Sequence, residues 1–218
     1  MFAQAFALCI GTKGILYKAG QRHDHQLCLS AMTMPPKDDD LQAWAALAPV
    51  VRPDWFVHDS SLHGVRHTQR VHIHVRRLAR ALSWDDTDAG LALQAALWHD
   101  IGRTDDGWDP GHGEDSARRA RKKQLLDVLS PADAALVVFA IRLHCLPDDL
   151  GEEEARRLAE QERGLRILWL LKDADGLDRV RLRGREGPDP AQLRCPQAVA
   201  LIPFAESLLR AVTDADDD

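Results

Sequence analysis

The stretch Leu91-Ala92-Leu93-Gln94-Ala95-Ala96-Leu97-Trp98-His99-Asp100-Ile101-Gly102-Arg103 decides how the rest of the chain is read. The apolar run from Leu91 to Trp98 predicts a core helix, and Gly102 stops it. It delivers an adjacent histidine and aspartate between apolar flanks, so His99 and Asp100 point inward. A buried carboxylate is costly unless it is paired or holds a metal ion. Imidazole and carboxylate together suit a divalent transition metal. Helix neighbours lie about 100° apart, so both side chains reach one ion only at a helix edge or terminus. A two-residue motif is weak evidence by itself; the histidines and aspartates elsewhere in the chain give it weight.

Upstream, Asp38 to Asp40 start a helix whose apolar residues Leu41, Trp44, Leu47 and Val50 recur at helical spacing, and Pro53 ends it. Ser60 or Ser61 can cap the next helix. That helix carries His63 and His67, four residues apart and therefore on one face. His67 lines up with Val71, His74, Val75, Leu78 and Leu82 on an otherwise apolar stripe. A lone histidine there is ordinarily a hydrogen-bonded core residue; the inward His-Asp pair downstream makes His67 a ligand candidate. His72 falls off the stripe and reads as solvated, and His74 reads as a pure core histidine.

Downstream, Thr104 to Gly113 contains three glycines and a proline and reads as a loop, with His112 between two glycines. A helix from Asp115 or Ser116 to Leu129 follows. Its Arg118, Arg119, Arg121, Lys122 and Lys123 read as a solvated face rather than a phosphate site. Ser130-Pro131 is a cap with proline at the first helical position, and the helix it opens places His144 inward, in register with Val137 and Ile141. Residues 148–163 are strongly charged and read as a surface helix. The buried segment Leu165 to Leu171 then runs into Asp173, Asp175 and Asp178, on neighbouring helical stripes. A last helix runs from Pro196 to Val212. No internal repeat and no alternating strand pattern is present, so the fold class is all-α.

The organisation reads as a poorly defined N-terminal segment (1–36), one domain (37–213) and an acidic tail (214–218). In the first segment His23, His25 and Cys28 fit no zinc spacing, and Gly11 and Gly14 make no phosphate loop. The apolar run Phe2 to Ile10 lacks the basic flank of a signal peptide. Cys9, Cys28, Cys145 and Cys195 form no CxxC pair and read as reduced thiols in a cytoplasmic protein. No stretch is long and apolar enough for a membrane span. The net charge of −6 gives no global attraction to nucleic acid or an acidic membrane, so neither is expected as a partner.

The ordered set His67, His99-Asp100 and Asp175 resembles the metal-binding signature of the HD superfamily, over about residues 41–184. His67-x-x-Arg70-Val71 and His99-Asp100-Ile101-Gly102 are close to the family's wording. Its Ala-Asp-x-Leu pattern falls on Ala174-Asp175-Gly176-Leu177, which favours Asp175 over Asp173 as the last ligand. The resemblance implies an HD-domain helical bundle with a metal site between helices. Dinuclear members, both hydrolases and diiron oxygenases, carry two histidines between the HD pair and the last aspartate; His112 and His144 occupy that order. By this resemblance Asp100 bridges two ions, and His112 and His144 hold the second. The superfamily's phosphodiesterases have a His-x-x-x-His pair whose first member is a general acid, matched by His63 and His67.

The expected cofactor is one or two divalent transition metal ions (Mn, Fe, Co, Ni or Zn). The leading expectation is a metal-dependent phosphohydrolase acting on a small phosphorylated substrate, a mono- or diester. His63, Asp100 and Arg103 are its catalytic candidates. Arg103, Lys172 and Arg179 either stabilise phosphate charge or pair with Asp105, Asp106 or Asp178. A diiron oxygenase and a non-catalytic sensor or binding module stabilised by its metal are the alternatives, because fold analogy does not fix function.

Overall fold

The computed structural model describes residues 8–10, 16–18, 36–182 and 187–214. His23, His25, Cys28, Gly11, Gly14 and most of the acidic tail lie outside the described residues. Near the N-terminus two short strands, β1 (Leu8–Ile10) and β2 (Leu16–Lys18), pair antiparallel with Leu8 opposite Lys18. The sequence showed no strand pattern there, because three residues per strand are too few for alternation to register.

The remaining described residues build nine α-helices: α1 (Asp38–Leu47), α2 (Val65–Ala81), α3 (Asp86–Trp98), α4 (His112–Lys122), α5 (Pro131–Leu143), α6 (Asp148–Ala155), α7 (Gln161–Leu177), α8 (Pro196–Ala200) and α9 (Ile202–Asp214). The all-α bundle read from the sequence is present. α3 lies at its centre, against α2, α5 and α7. Ala92, Ala95 and Ala96 are fully buried on it, and such small side chains let the neighbouring helices approach closely. Asp85 caps α3 by accepting from the Asp88 amide at 2.9 Å, and Ser130 caps α5 through the Asp133 amide at 3.1 Å. Val71, Ile73, Val75 and Leu78 of α2, and Ile167, Leu168, Trp169 and Leu171 of α7, fill the core. Each such side chain contributes roughly 1.5–3 kcal/mol of burial.

Several helix boundaries differ from the sequence reading; among them, the charged stretch 148–163 is not one surface helix, since α6 ends at Ala155 and α7 already begins at Gln161. α2 begins at Val65 with Gly64 at its N-cap, so His63 precedes the helix. Ser60 instead folds the turn before it, accepting from the amides of Leu62 and His63 at 3.0 and 2.7 Å. α4 begins at His112, three or four residues earlier than expected, because Gly111 takes the N-cap position, and it ends at Lys122 rather than Leu129, with Leu125–Val128 a separate 3-10 turn. The last helix is two: α8 ends at Ala200, and α9 restarts at Ile202 with Pro203 in its first turn, where the missing N–H costs nothing.

Two glycines set the approach of α4 to the centre. A Cβ on Gly102 would lie 2.2 Å from the Ser116 amide nitrogen, and one on Gly113 would lie 2.6 Å from the Arg142 carbonyl oxygen. Both obstacles are backbone, so helices would have to move. Gly102→Ala is expected to destabilise the protein by about 1–3 kcal/mol through overpacking and to lower its metal content by displacing His112. Chemical denaturation and metal analysis check this; an unchanged midpoint would show that α4 can yield.

Candidate metal centre

Helix ends bring the ionisable side chains together. His99 is the C-cap of α3 and Asp100 follows it; His112 is the first residue of α4; His144 is the C-cap of α5; His67 lies in the first turn of α2 and Asp175 in the last turn of α7. The terminus placement lets adjacent His99 and Asp100 face one point. The Asp100 carboxylate, 3 % exposed, is the hub. Its Oδ1 lies 3.1 Å from His112 Nε2 and 3.4 Å from His144 Nε2. Its Oδ2 lies 3.2 Å from His63 Nδ1, 3.4 Å from His67 Nε2 and 3.7 Å from His99 Nε2. Asp175 Oδ1 stands 3.3 Å from His67 Nε2.

The ring tautomers give this cluster its meaning. His99 Nδ1 donates to the Ala96 carbonyl at 2.8 Å, His144 Nδ1 to the Ile141 carbonyl at 2.7 Å, and His112 Nδ1 to the Asp109 carbonyl. His67 Nδ1 donates to Asp178 Oδ2 at 2.7 Å. A neutral ring that donates from Nδ1 carries a lone pair at Nε2. Yet His67 Nε2 and His99 Nε2 are 3.1 Å apart, and His112 Nε2 and His144 Nε2 are 3.0 Å apart. Four ring nitrogens therefore converge on two carboxylates, and each close N···N pair needs a proton or a metal ion between its members. Asp100 Oδ1 is also buried with no hydrogen-bond partner. Rings oriented by carbonyls and carboxylates are the usual outer support of metal-ligating histidines. The residues present fit a divalent ion, and His67, His99 and Asp175, or His99, Asp100 and His144, can each supply a three-donor set.

The HD domain family model matches residues 64–180, more than half of the chain. The chain belongs to the HD-domain family. No curated protein and no solved structure matches it.

Within this HD domain the two aspartates that the sequence left open go different ways. Asp175 faces the cluster. Asp173 is turned away: it accepts from the Arg194 and Cys195 amides at 2.9 and 3.1 Å and pairs with the Arg194 guanidinium, fixing the segment that enters α8. Arg103 Nε lies 3.2 Å from Asp100 Oδ2, and its NH1 donates to the Gly107 carbonyl at 3.2 Å. Neither Asp105, Asp106 nor Asp178 is its partner. Lys172 donates to the Leu146 carbonyl and to Asp148, at 2.5 and 2.7 Å. Lys172 and Arg179 line a cleft of about 960 Å³ whose wall includes His144 and Asp175, so the cleft opens onto the cluster. Arg119 grips the carbonyls of Asp54, Trp55 and Phe56 instead of a ligand. His74 is a core histidine, edge-on to Phe204. His72, expected in solvent, is half-buried, and burial lowers its pKa to about 4.

The sequence reading missed the residues that hold the centre in place. Asp178 is fully buried and takes His67 Nδ1 and both arms of Arg70, at 2.6 and 3.1 Å. Arg181 donates to the Leu62 carbonyl at 3.0 Å and reaches His63 Nδ1 at 3.2 Å. More than a hundred residues separate these partners in sequence, and no local pattern announces such pairs. Asp178→Asn is expected to cost about 10–100-fold in metal affinity by releasing the His67 ring. It should also cost about 3–5 kcal/mol of stability by breaking the buried pair with Arg70. Metal titration and denaturation measure both; unchanged affinity would remove Asp178 from the account.

Without metal, protons take the place of cations. Burial disfavours a charged His67, but hydrogen bonds to Asp100, Asp175 and Asp178 prevail and raise its pKa to about 9. His112 is opposed by burial in the same way, yet Asp100 beside it lifts it to about 10. His99 is pushed down to about 3 by burial. Asp100 and Asp175 stay well below the usual carboxylate range, since the surrounding imidazoles outweigh their burial. The stabilisation from the raised histidines is complete below the unfolded value near 6.5 and is lost as pH rises through about 9 to 10. The metal-free protein should therefore melt progressively lower from pH 7 to pH 10. Metal binding at pH 7 should release about two protons per chain. Calorimetry in buffers of different ionisation enthalpy counts them; zero release would contradict the proton-for-metal exchange.

Proposed function

We propose that this HD domain is a metal-dependent phosphohydrolase acting on a small phosphate mono- or diester. The observation that carries the reading is the convergence of four Nε2 atoms on Asp100 and Asp175, beside a cleft whose wall includes His144 and Asp175. In this reading His67, His99, Asp100 and Asp175 hold a first ion, and Asp100, His112 and His144 hold a second. Such ions polarise a phosphoryl oxygen and lower the pKa of water toward about 7.

The chain's own residues supply the rest. His63, half-buried beside Asp100, donates a proton to the leaving oxygen. Arg103 and Arg181, both at the edge of the cluster, balance the charge that a phosphate brings, and their planar forks suit its oxygens. Lys172 and Arg179 attract the anion through the cleft. Residues 37–213 form the catalytic unit in the same proposal, and the chain works in the cytoplasm. No helix among the described residues is long and apolar enough to cross a membrane.

The test is metal analysis of the purified protein followed by phosphate release from a panel of mono- and diesters with manganese, iron, cobalt, nickel and zinc. Metal-dependent release that a chelator abolishes is expected. Bound iron with oxygen uptake and no phosphate release would replace the reading with an oxygenase. Bound metal with no turnover of either kind would leave a sensor or binding module.

A further inference from the structure

The second half of the cluster contains a donor outside the resemblance. Cys145 follows His144 at the end of α5, and the donor atoms of His112, His144 and Cys145 all lie within 4.8 Å of one another. The thiol is half-buried, donates weakly to the Pro110 carbonyl at 3.5 Å and lines the cleft. A second observation points to a ligand at the same place: Asp100 Oδ1, buried and without a hydrogen-bond partner, faces both imidazoles at 3.1 and 3.4 Å. His112, His144 and Cys145 thus offer two nitrogens and one sulfur to one point, beside the Asp100 oxygen that faces both imidazoles. The other half of the cluster, around His67, His99 and Asp175, has only nitrogen and oxygen donors.

We propose that Cys145 is a thiolate ligand of the second ion, so that the two metal positions differ in chemistry. The inference rests on the two-ion reading above. On binding, the thiol proton leaves to solvent and a metal–sulfur bond forms; no electron changes hands. A thiolate favours zinc, iron or cobalt over manganese or magnesium. The His112 position therefore selects softer ions than the His67 position.

Cobalt(II) is the probe, because a thiolate bound to it gives an intense near-ultraviolet charge-transfer band that imidazole and carboxylate do not. The full chain loaded with cobalt is expected to show the band, and Cys145→Ser is expected to lose it while still binding cobalt. A variant-free measurement runs alongside. Alkylation of Cys145 by iodoacetamide, read by peptide mass spectrometry, should be fast in the metal-free protein and at least about tenfold slower with cobalt bound. About two cobalt ions per chain without the band, a band that survives Cys145→Ser, or alkylation unaffected by cobalt would each overturn the thiolate ligand and leave the metal centre standing. No cobalt bound at all would overturn both.

Discussion

His99→Ala and Asp100→Ala are each expected to bring bound metal at the first position, and the proposed phosphate release, to background. Asp100→Ala should in addition empty the second position, because five histidine nitrogens lie 3.1–3.7 Å from the two Asp100 oxygens, those of His112 and His144 among them. Its removal leaves His112 and His144 facing each other without the carboxylate between them, and Asp175 as the remaining carboxylate beside His67. Metal binding is also folding free energy. At free metal one hundred times Kd the parent gains about 2.7 kcal/mol, or roughly 5–11 °C in melting temperature for a chain of this size. The variants should show no such gain. Thermal melts with and without metal, next to metal analysis, measure it. Full occupancy in the double variant His99→Ala, Asp100→Ala would remove the HD pair from the site.

The second large effect concerns the number of ions. His112→Ala and His144→Ala should each lower bound iron or cobalt from about two ions per chain to about one, with the fold retained. The motivation is geometric. His112 Nε2 and His144 Nε2 are 3.0 Å apart, both rings are locked through Nδ1 by backbone carbonyls, and both face Asp100 Oδ1 rather than the His67 side. A carboxylate has lone pairs enough to serve an ion on each oxygen. The competing account has the two histidines binding substrate phosphate beside a single ion. It predicts one ion per chain in the parent and in both variants, with only KM changed.

Much of this centre could be read before any coordinates, because its residues sit where local chemistry marks a boundary. The apolar run ending at Trp98, the Ser130-Pro131 cap and the Ala174-Asp175 pair are short-range signals, and they fix where His99, Asp100, His144 and Asp175 fall on their helices. The start of α4 was illegible for the opposite reason. Glycines on both sides of His112 look like loop, yet Gly113 is demanded by the close pass of α4 over the end of α5, and Gly111 only caps the helix. Asp178 and Arg181 stayed hidden because their partners His67, Arg70 and His63 come from another helix and the turn before it. His63 was legible as a residue and misplaced as an element, since Gly64 ends the turn that holds it. Cys145 was read only as a reduced thiol; its neighbour His144 was the available signal.

In the proposed centre Asp100 joins two metal ions, one held with His67, His99 and Asp175 and the other with His112 and His144. Anomalous diffraction from crystals of the cobalt-loaded protein tests it most directly. The expected result is two cobalt peaks flanking the Asp100 carboxylate, about 3.5–4 Å apart, one beside His67, His99 and Asp175 and the other beside His112 and His144. Peaks elsewhere, such as beside Asp173, or none within bonding distance of Asp100, would contradict it.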